Sequence, residues 1–122
     1  MPARSQNRRG QRVVVLVTCA SRGEASRIAV AVVAKRLAAC VNIFASPVDS
    51  IYRWKAKVEK ARETLMLMKT SRPRLAALRA EVERLHSYDV PEFIALPIVA
   101  GSPRYLSWLA ECVHPRRPHK SR

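Results

Sequence analysis

The order of structural signals along this chain predicts an α+β fold: a ferredoxin-like βαββαβ sandwich with an extended hairpin between its second and third strands and a C-terminal helix. Three observations lead to this prediction. The apolar run at 13–17 does not alternate with polar residues, which is typical of a strand covered on both faces. Two extended segments, 41–54 and 58–70, are joined by a short turn and indicate a hairpin. Apolar residues recur at helical spacing on either side of this hairpin.

The first strand ends near Cys19, and a helix is predicted to begin directly after it. Ser21 and Glu24 have the spacing of a capping box, in which the serine hydroxyl accepts from the Glu24 amide and the glutamate side chain reaches back. An apolar stripe then continues to about Ala39 and predicts one buried helix face.

The two strands of the long hairpin differ. The second strand is interrupted, and the third strand is apolar on both faces at 65–68. Proline cannot donate to a strand ladder, so Pro47 predicts a bulge or an edge position in the second strand. Leucines and methionines alternate at 65–68, which predicts a central third strand. Met66 and Met68 are expected to fill the core rather than to bind copper.

The C-terminal half follows the same pattern. Pro73 marks the first turn of a second helix, whose apolar residues recur to position 85. A polar linker at 86–92 precedes an apolar strand at 93–100. Gly101 and Ser102 then lead to a last helix from Pro103. Its inward-facing residues are expected to be Tyr105, Leu106, Leu109, Cys112 and Val113.

Strand and helix directions in this topology sort the polar and aromatic candidates into two groups. One group lies at the end of the sheet where the first strand finishes, here called the upper end, and the other at the lower end. We expect Cys19, Trp54, His86, Tyr88 and Glu92 at the upper end and Cys40 and Lys69 at the lower end.

His86 and Cys19 are the candidate metal ligands at the upper end. An imidazole and a thiolate suit copper or zinc. The alternatives are a helix-capping role for His86, near the negative end of the helix dipole, and a small buried apolar role for Cys19. Asp89 and Glu92 could complete a metal site or solvate the turn.

Charge concentrates at the two ends of the chain. The formal net charge is +14, and residues 1–12 and 114–122 together hold eight basic side chains and no acidic one. We therefore expect two disordered basic tails around a domain at 13–113, with only non-specific, salt-sensitive attraction to nucleic acid. An RNA-recognition domain needs aromatic residues on its central strands, and 65–68 has none.

The remaining composition narrows the class of protein. Three cysteines without a CxxC motif argue against a disulfide framework and a zinc ribbon. No apolar run approaches the roughly 20 residues of a membrane span, and the start of the chain lacks a secretory signal. These features predict a cytoplasmic protein that is not membrane-bound.

Several segments, in this order, resemble the CutA divalent-cation-tolerance family over about 13–113. The resemblance implies a very stable homotrimer of ferredoxin-like subunits that is linked to tolerance of copper and other divalent metals, with no established enzymatic reaction. A divalent cation, Cu²⁺ or Zn²⁺, weakly bound, is the cofactor it suggests. The segments are VVVLVTC at 13–19, LAACVNI at 37–43, IYRWKAK at 51–57, KT at 69–70, HSYDVPE at 86–92 and LPIVAG at 96–101.

The resemblance also implies site residues. Cys40, Trp54, Lys69, Tyr88 and Glu92 would line a cleft between subunits. Copper ligands proposed in the family fall at Val17, Leu85 and His86, of which only His86 can ligate. The family usually carries glycine at position 56 and proline at position 87, where this chain has Ala56 and Ser87.

Lys69 carries the main alternative reading. A lysine on a central strand needs a carboxylate, carbonyls or a bound anion. It therefore predicts either a structural ion pair or an anion-binding group. The alternative function to cation tolerance is a trimeric regulatory protein of PII-like architecture that senses a small ligand or anion. An acylphosphatase-like enzyme would need a glycine-rich loop with arginine at 19–23, where this chain has one glycine and one arginine.

Overall fold

A computed structural model describes residues 11–115, and the rest of the expected basic tails lies outside the described residues. The elements follow in the predicted order, with the second strand divided in two and a 3-10 turn (Arg72–Arg74) before the second helix. None of the helices within 11–115 combines the length and apolar character needed to cross a membrane. The elements are β1 (Arg12–Cys19), α1 (Arg22–Ala34), β2 (Cys40–Ile43), β3 (Val48–Trp54), β4 (Lys57–Ser71), α2 (Leu75–Leu85), β5 (Ile94–Pro97) and α3 (Pro103–Val113).

The sheet is built around its longest strand, β4. Its inner half lies between β2 and β1, and β5 pairs with the other edge of β1, so the order is β2-β4-β1-β5. All of these pairings are antiparallel, and β3 pairs with the outer half of β4. This is the ferredoxin-like arrangement that the sequence predicts, and the central position of β4 is confirmed.

One face of the sheet carries the main core. Alternate residues of β1 and β4 point to this face, where α1 and α2 cover them. Met66 and Met68 are fully buried there, which agrees with their predicted role as core filler. A side chain of this kind, moved from water to a core, contributes about 1.5–3 kcal/mol. The fully buried aliphatic residues of this core include Val15, Val17, Val32, Leu78 and Val82.

The opposite face of the sheet, here called the outer face, is only partly covered. Helix α3 packs on it, and Arg12 donates from Nε to the carbonyl of Leu106 at 3.2 Å. Leu109 and Val113 are buried as predicted. Tyr105 is not: it lies in the first turn of α3 and is 42% exposed, with its ring against Trp108 at a centroid distance of 5.4 Å.

Two elements end earlier than the sequence pattern predicts. Helix α1 stops at Ala34 because Arg36 adopts a left-handed backbone with φ of 60°, and the amides of Leu37 and Ala38 both donate to the Val32 carbonyl. Strand β5 ends at Pro97, and the amide of the next residue, Ile98, still donates to the Arg12 carbonyl at 2.9 Å.

The chain ends of the domain lie close to their predicted positions. The domain was expected to begin at 13, and β1 begins at Arg12. His114, assigned from sequence to the second tail, is the C-cap of α3, and its carbonyl accepts from Arg36 Nε at 3.4 Å.

The hairpin of β3 and β4 extends beyond the core. Four residues, 44–47, lie opposite two residues of β4, which is the interruption that Pro47 predicts. At the tip, Lys55 and Ala56 form a two-residue turn with φ of 51° and 69°. Within residues 11–115, the second edge of β4 from Lys57 to Glu63 has no partner strand. This edge is free to pair with another chain.

Candidate functional site

The linker after α2 turns the side chain of His86 into the protein. The backbone of His86 is extended, and its amide still donates to the Val82 carbonyl at 2.9 Å. The imidazole itself is fully buried and contacts β1, not the last turn of α2. His86 is thus the C-cap of α2, as the helix-capping alternative expects, but it caps through its backbone, because its imidazole contacts the Thr18 carbonyl.

Both ring nitrogens of His86 have hydrogen-bond partners. Nε2 lies 2.7 Å from the carbonyl oxygen of Thr18, which can only accept, so Nε2 carries the proton. Nδ1 accepts from the amide of Tyr88 at 3.1 Å. The network thus holds the imidazole in one orientation, with a proton on Nε2.

Glu24 joins the start of α1 to the same linker. Its amide donates to Ser21 Oγ at 3.1 Å, as the capping box predicts, and its carboxylate accepts from the Ala20 amide at 3.3 Å. The amide of Ser87 donates to Glu24 Oε2 at 2.6 Å and the Ser87 hydroxyl to Oε1 at 3.1 Å. A proline at position 87 could not make the first of these bonds. Burial acts to raise the pKa of the Glu24 carboxyl, but the bonds from Ser87, the nearby His86 and the Ala20 amide outweigh it and lower the pKa.

Cys19 completes a group of three potential ligands. It is fully buried at the end of β1, and burial together with the negative charges of Glu24 and Glu63 raises the pKa of its thiol to about 12. Ligand atoms of Cys19, Glu24 and His86 lie within 4.8 Å of one another. We call these three residues the buried cluster. The structure thus brings the two predicted ligands together and adds a third.

The sequence also contained a signal for Glu24. The capping box places it at the first turn of α1, directly beside the end of β1, and the predicted topology brings His86 to the same end of the sheet. Its partner Ser87 lies 63 residues away, and local pattern alone does not reveal such a contact.

An open cleft of about 660 Å³ lies next to the buried cluster, between the β3–β4 hairpin and the linker. We call it the upper cleft. Three of the five residues predicted to line a ligand cleft are found here: Trp54, Tyr88 and Glu92. Its lining is completed by Thr18, Ser50, Ile51, Tyr52, Glu63, Ser87, Asp89 and Val90.

Glu63 is a lining residue that sequence reasoning missed. It is 7% exposed, and its Oε2 accepts from the Tyr88 hydroxyl at 2.7 Å. Burial and this bond to Glu63 raise the pKa of the Tyr88 phenol, so the hydroxyl remains a donor at neutral pH. The signal available in the sequence was alternation, because Glu63 shares a strand face with Leu65 and Leu67.

Cys40 and Lys69 lie at the lower end, as the topology predicts, and do not reach the upper cleft of the same chain. They face each other in register between β2 and β4. Lys69 Nζ donates to Asn42 Oδ1, and Cys40 Sγ lies 4.0 Å from the same oxygen. Among residues 11–115, Lys69 has no carboxylate within ion-pair distance.

Fold and site together define a small ferredoxin-like α+β protein with a buried thiol, carboxylate and imidazole beside an acidic, aromatic cleft. The family model described as CutA1 divalent ion tolerance protein matches residues 13–112. The chain therefore belongs to the CutA1 family.

Individual relatives agree with this assignment. The chain is 48% identical over 98 residues to the divalent-cation tolerance protein CutA of Thermus thermophilus, covering 80% of this chain and 94% of the relative. It is 44% identical over 97 residues to the chloroplastic protein CutA of Arabidopsis thaliana, covering 80% of this chain but only about half of the relative, 53%. The first of these names describes divalent-cation tolerance, and neither name includes a reaction.

Solved structures give the same fold. A Thermus thermophilus divalent cation tolerance protein superposes with a TM-score of 0.82 at 46% identity, covering 84% of this chain and 99% of the other. A protein from Archaeoglobus fulgidus described as periplasmic CutA gives a TM-score of 0.81 at 41% identity, covering 84% and 99%.

Proposed function

We propose that this protein acts as a homotrimer in tolerance of divalent cations, and that the buried cluster binds a divalent cation such as Cu²⁺ or Zn²⁺ weakly. The observation that carries the proposal is the convergence of Cys19, Glu24 and His86 within 4.8 Å. A thiolate, a carboxylate and an imidazole are donors that zinc and copper accept.

Weak binding follows from the bonds that these donors already make. Both nitrogens of His86 are occupied, and the Glu24 carboxylate accepts from Ser87 and Ala20. The thiol of Cys19 would have to lose its proton to ligate, since its pKa is about 12. A bound cation must therefore displace hydrogen bonds and a proton before it gains its own bonds.

Two features of the described residues support the homotrimer. The free edge of β4 from Lys57 to Glu63 can pair with a strand of another subunit. Strand β5 is exposed along its whole length, including Ile94 and Leu96, each 49% exposed. Apolar surface of this kind typically marks a contact between chains.

The proposed cytoplasmic location rests on sequence composition alone. Relatives are described as chloroplastic in Arabidopsis thaliana and periplasmic in Archaeoglobus fulgidus, so related chains work in more than one compartment. The absence of an enzymatic activity likewise stays a prediction.

Calorimetric titration of the full chain with Zn²⁺ and Cu²⁺, combined with light scattering, tests the proposal. We expect a mass about three times 13.7 kDa and a dissociation constant in the micromolar range or weaker. His86→Ala should weaken binding by roughly tenfold or more, because it removes a ligand. Affinity should fall as the solution is acidified, because a protonated imidazole cannot coordinate.

His114→Ala is the matched control, since His114 is exposed at the end of α3 and, among residues 11–115, its ring bonds only the carbonyl of its neighbour Pro115. It should bind like the wild type. Tight binding that survives His86→Ala would place the metal elsewhere, and a mass of 13.7 kDa would contradict the trimer.

A further inference from the structure

The upper cleft is negatively charged in a strongly basic protein. The chain has a formal net charge of +14, yet the charged side chains that line the cleft are Glu63, Asp89 and Glu92. No lysine, arginine or histidine of the described residues is among the lining side chains. The charge of this cleft therefore opposes an anionic ligand and favours a cationic one.

Glu63 makes this preference specific. Glu63 is 7% exposed as a residue, and within residues 11–115 the hydrogen bond of its carboxylate is to a neutral phenol, the Tyr88 hydroxyl. Within residues 11–115 no basic group lies at ion-pair distance from it. A buried carboxylate without a cation is costly, so a positive group that reached it would be strongly favoured.

Aromatic side chains share the cleft with this carboxylate, and Tyr88 is in direct contact with it. Tyr52, Trp54 and Tyr88 all line the cleft, and aromatic rings attract ammonium groups through their faces. Trp54 already does so at the hairpin tip, where the Lys55 ammonium lies 5.8 Å from its ring centroid. Aromatic rings combined with a carboxylate form the kind of site that recognises alkylated ammonium groups.

The carboxylates that line the cleft do not form a group that could jointly hold a bare metal ion. Among the described residues, the group of side chains close enough to share a metal is the buried cluster, and Glu63, Asp89 and Glu92 do not form such a group. A volume of about 660 Å³ is in the range of sites for small organic molecules.

We propose that the upper cleft binds a small organic cation, an amine or quaternary ammonium compound, whose positive group contacts the Glu63 carboxylate and the Tyr88 side chain beside it. This proposal goes beyond divalent-cation tolerance and does not depend on the metal site, since the cleft and the buried cluster share no residue. The proposed ligand is a cation, whereas Lys69, at the other end of β4, led us to expect an anion.

Two probes of the same shape but different charge test the proposal on the full chain. Choline supplies a quaternary ammonium, and dimethylbutanol has the same shape with a neutral carbon in place of the nitrogen. Binding is measured by calorimetry and by ligand-observed NMR. We expect choline to bind and dimethylbutanol to bind roughly tenfold more weakly, the effect of one charge-assisted contact.

Glu63→Gln removes the charge and keeps an oxygen that can accept from Tyr88. It should weaken choline binding by roughly tenfold and leave dimethylbutanol unchanged. Asp49→Asn is the matched control, because it removes one negative charge from the same hairpin at a side chain that is 78% exposed and paired with Arg62. It should bind choline like the wild type.

Three results would overturn the proposal. The first is equal binding of both probes, and the second is choline binding that Glu63→Gln does not change. The third is no choline binding together with a lower mass of Glu63→Gln by light scattering, which would assign the cleft to a basic side chain of a second copy. Zinc titration of the same samples measures metal binding at the buried cluster separately. A negative choline result is therefore distinguishable from a negative result for the metal site.

Discussion

Ala56 has a backbone conformation that residues other than glycine rarely adopt. It has a φ of 69° and follows Lys55 at 51°, so the hairpin tip has the left-handed pair of a two-residue turn. For an L-residue this region costs roughly 1–2 kcal/mol. Ala56→Gly should therefore stabilise the protein by about 0.5–1 kcal/mol, after the greater entropy that glycine loses on folding. Urea unfolding of both proteins measures the difference.

Ala61→Gly provides the control for Ala56→Gly. Ala61 lies on β4 of the same hairpin with an ordinary negative φ, so glycine there should destabilise by about 0.5–1 kcal/mol. Equal effects of the two substitutions would show that backbone strain at the tip is absent.

At the level of single residues, the sequence predicted the candidate site in part. Topology alone brings Cys19 and His86 together, because β1 ends at Cys19 and α2 ends directly before His86, both at the upper end of the sheet. Glu63 was not predicted, since its burial depends on Tyr88, which is 25 residues away. Contacts between side chains on separate elements have no local sequence pattern.

Helices α1 and α2 are tied together by Glu81. Its carboxylate accepts from Lys35, at the C-cap of α1, at 2.8 Å and from Arg84 at 2.7 Å and 3.1 Å. These bonds, from Arg84 first and then Lys35, lower the pKa of Glu81 to about 2. In an unfolded chain a glutamate titrates near 4.3, about two units higher.

The lowered pKa of Glu81 sets the sign of a pH effect. The carboxylate stabilises the folded state above about pH 4.3, and this contribution is lost as pH falls toward about 2. Glu81→Gln should therefore melt at a lower temperature than the wild type near neutral pH, with the difference shrinking as the pH falls toward 2. Thermal melts across this range measure it.

Glu83→Gln controls for loss of charge on the same helix, because Glu83 is exposed and makes no ion pair within residues 11–115. Its melting temperature should follow the wild type at every pH. A constant gap for Glu81→Gln down to about pH 2 would contradict the assigned role of the Glu81 carboxylate.

Element boundaries show where sequence patterns are informative. The start of α1 was predicted because Ser21 and Glu24 act on each other within one turn. The end of α1 was not, because Arg36 takes a left-handed conformation without the glycine that normally signals it. The length of β5 is set by its pairing with residues 13–16 of β1, which leaves no local pattern in the β5 sequence.

At the scale of the whole molecule, the exposed apolar residues of β5 on the outer face imply a partner. Leu96 pairs with Val14 and is 49% exposed. In the proposed trimer this side chain is covered by a neighbour, so Leu96→Lys should bury an unpaired charge and shift the mass toward 13.7 kDa. Light scattering across a concentration series measures the shift.

Val30→Lys is the matched control on the helical side of the domain. Val30 is 70% exposed on α1, and its substitution should leave the mass of the assembly unchanged. If Leu96→Lys assembles like Val30→Lys, β5 is not part of the contact between subunits.

The position of β4 in the sheet also matters while the chain is being made. β1 leaves the ribosome first, but its partner residues in β4 follow 45 residues later, from Cys19 to Thr64, and up to 59 residues later, from Arg12 to Ser71. At 5–20 residues per second, the five apolar residues 13–17 wait roughly 3–12 s for a pairing strand. The β3–β4 hairpin, by contrast, closes across two residues as soon as it emerges. Nascent chains are thus most prone to aggregate through β1, and a chaperone that binds short apolar segments would act there first.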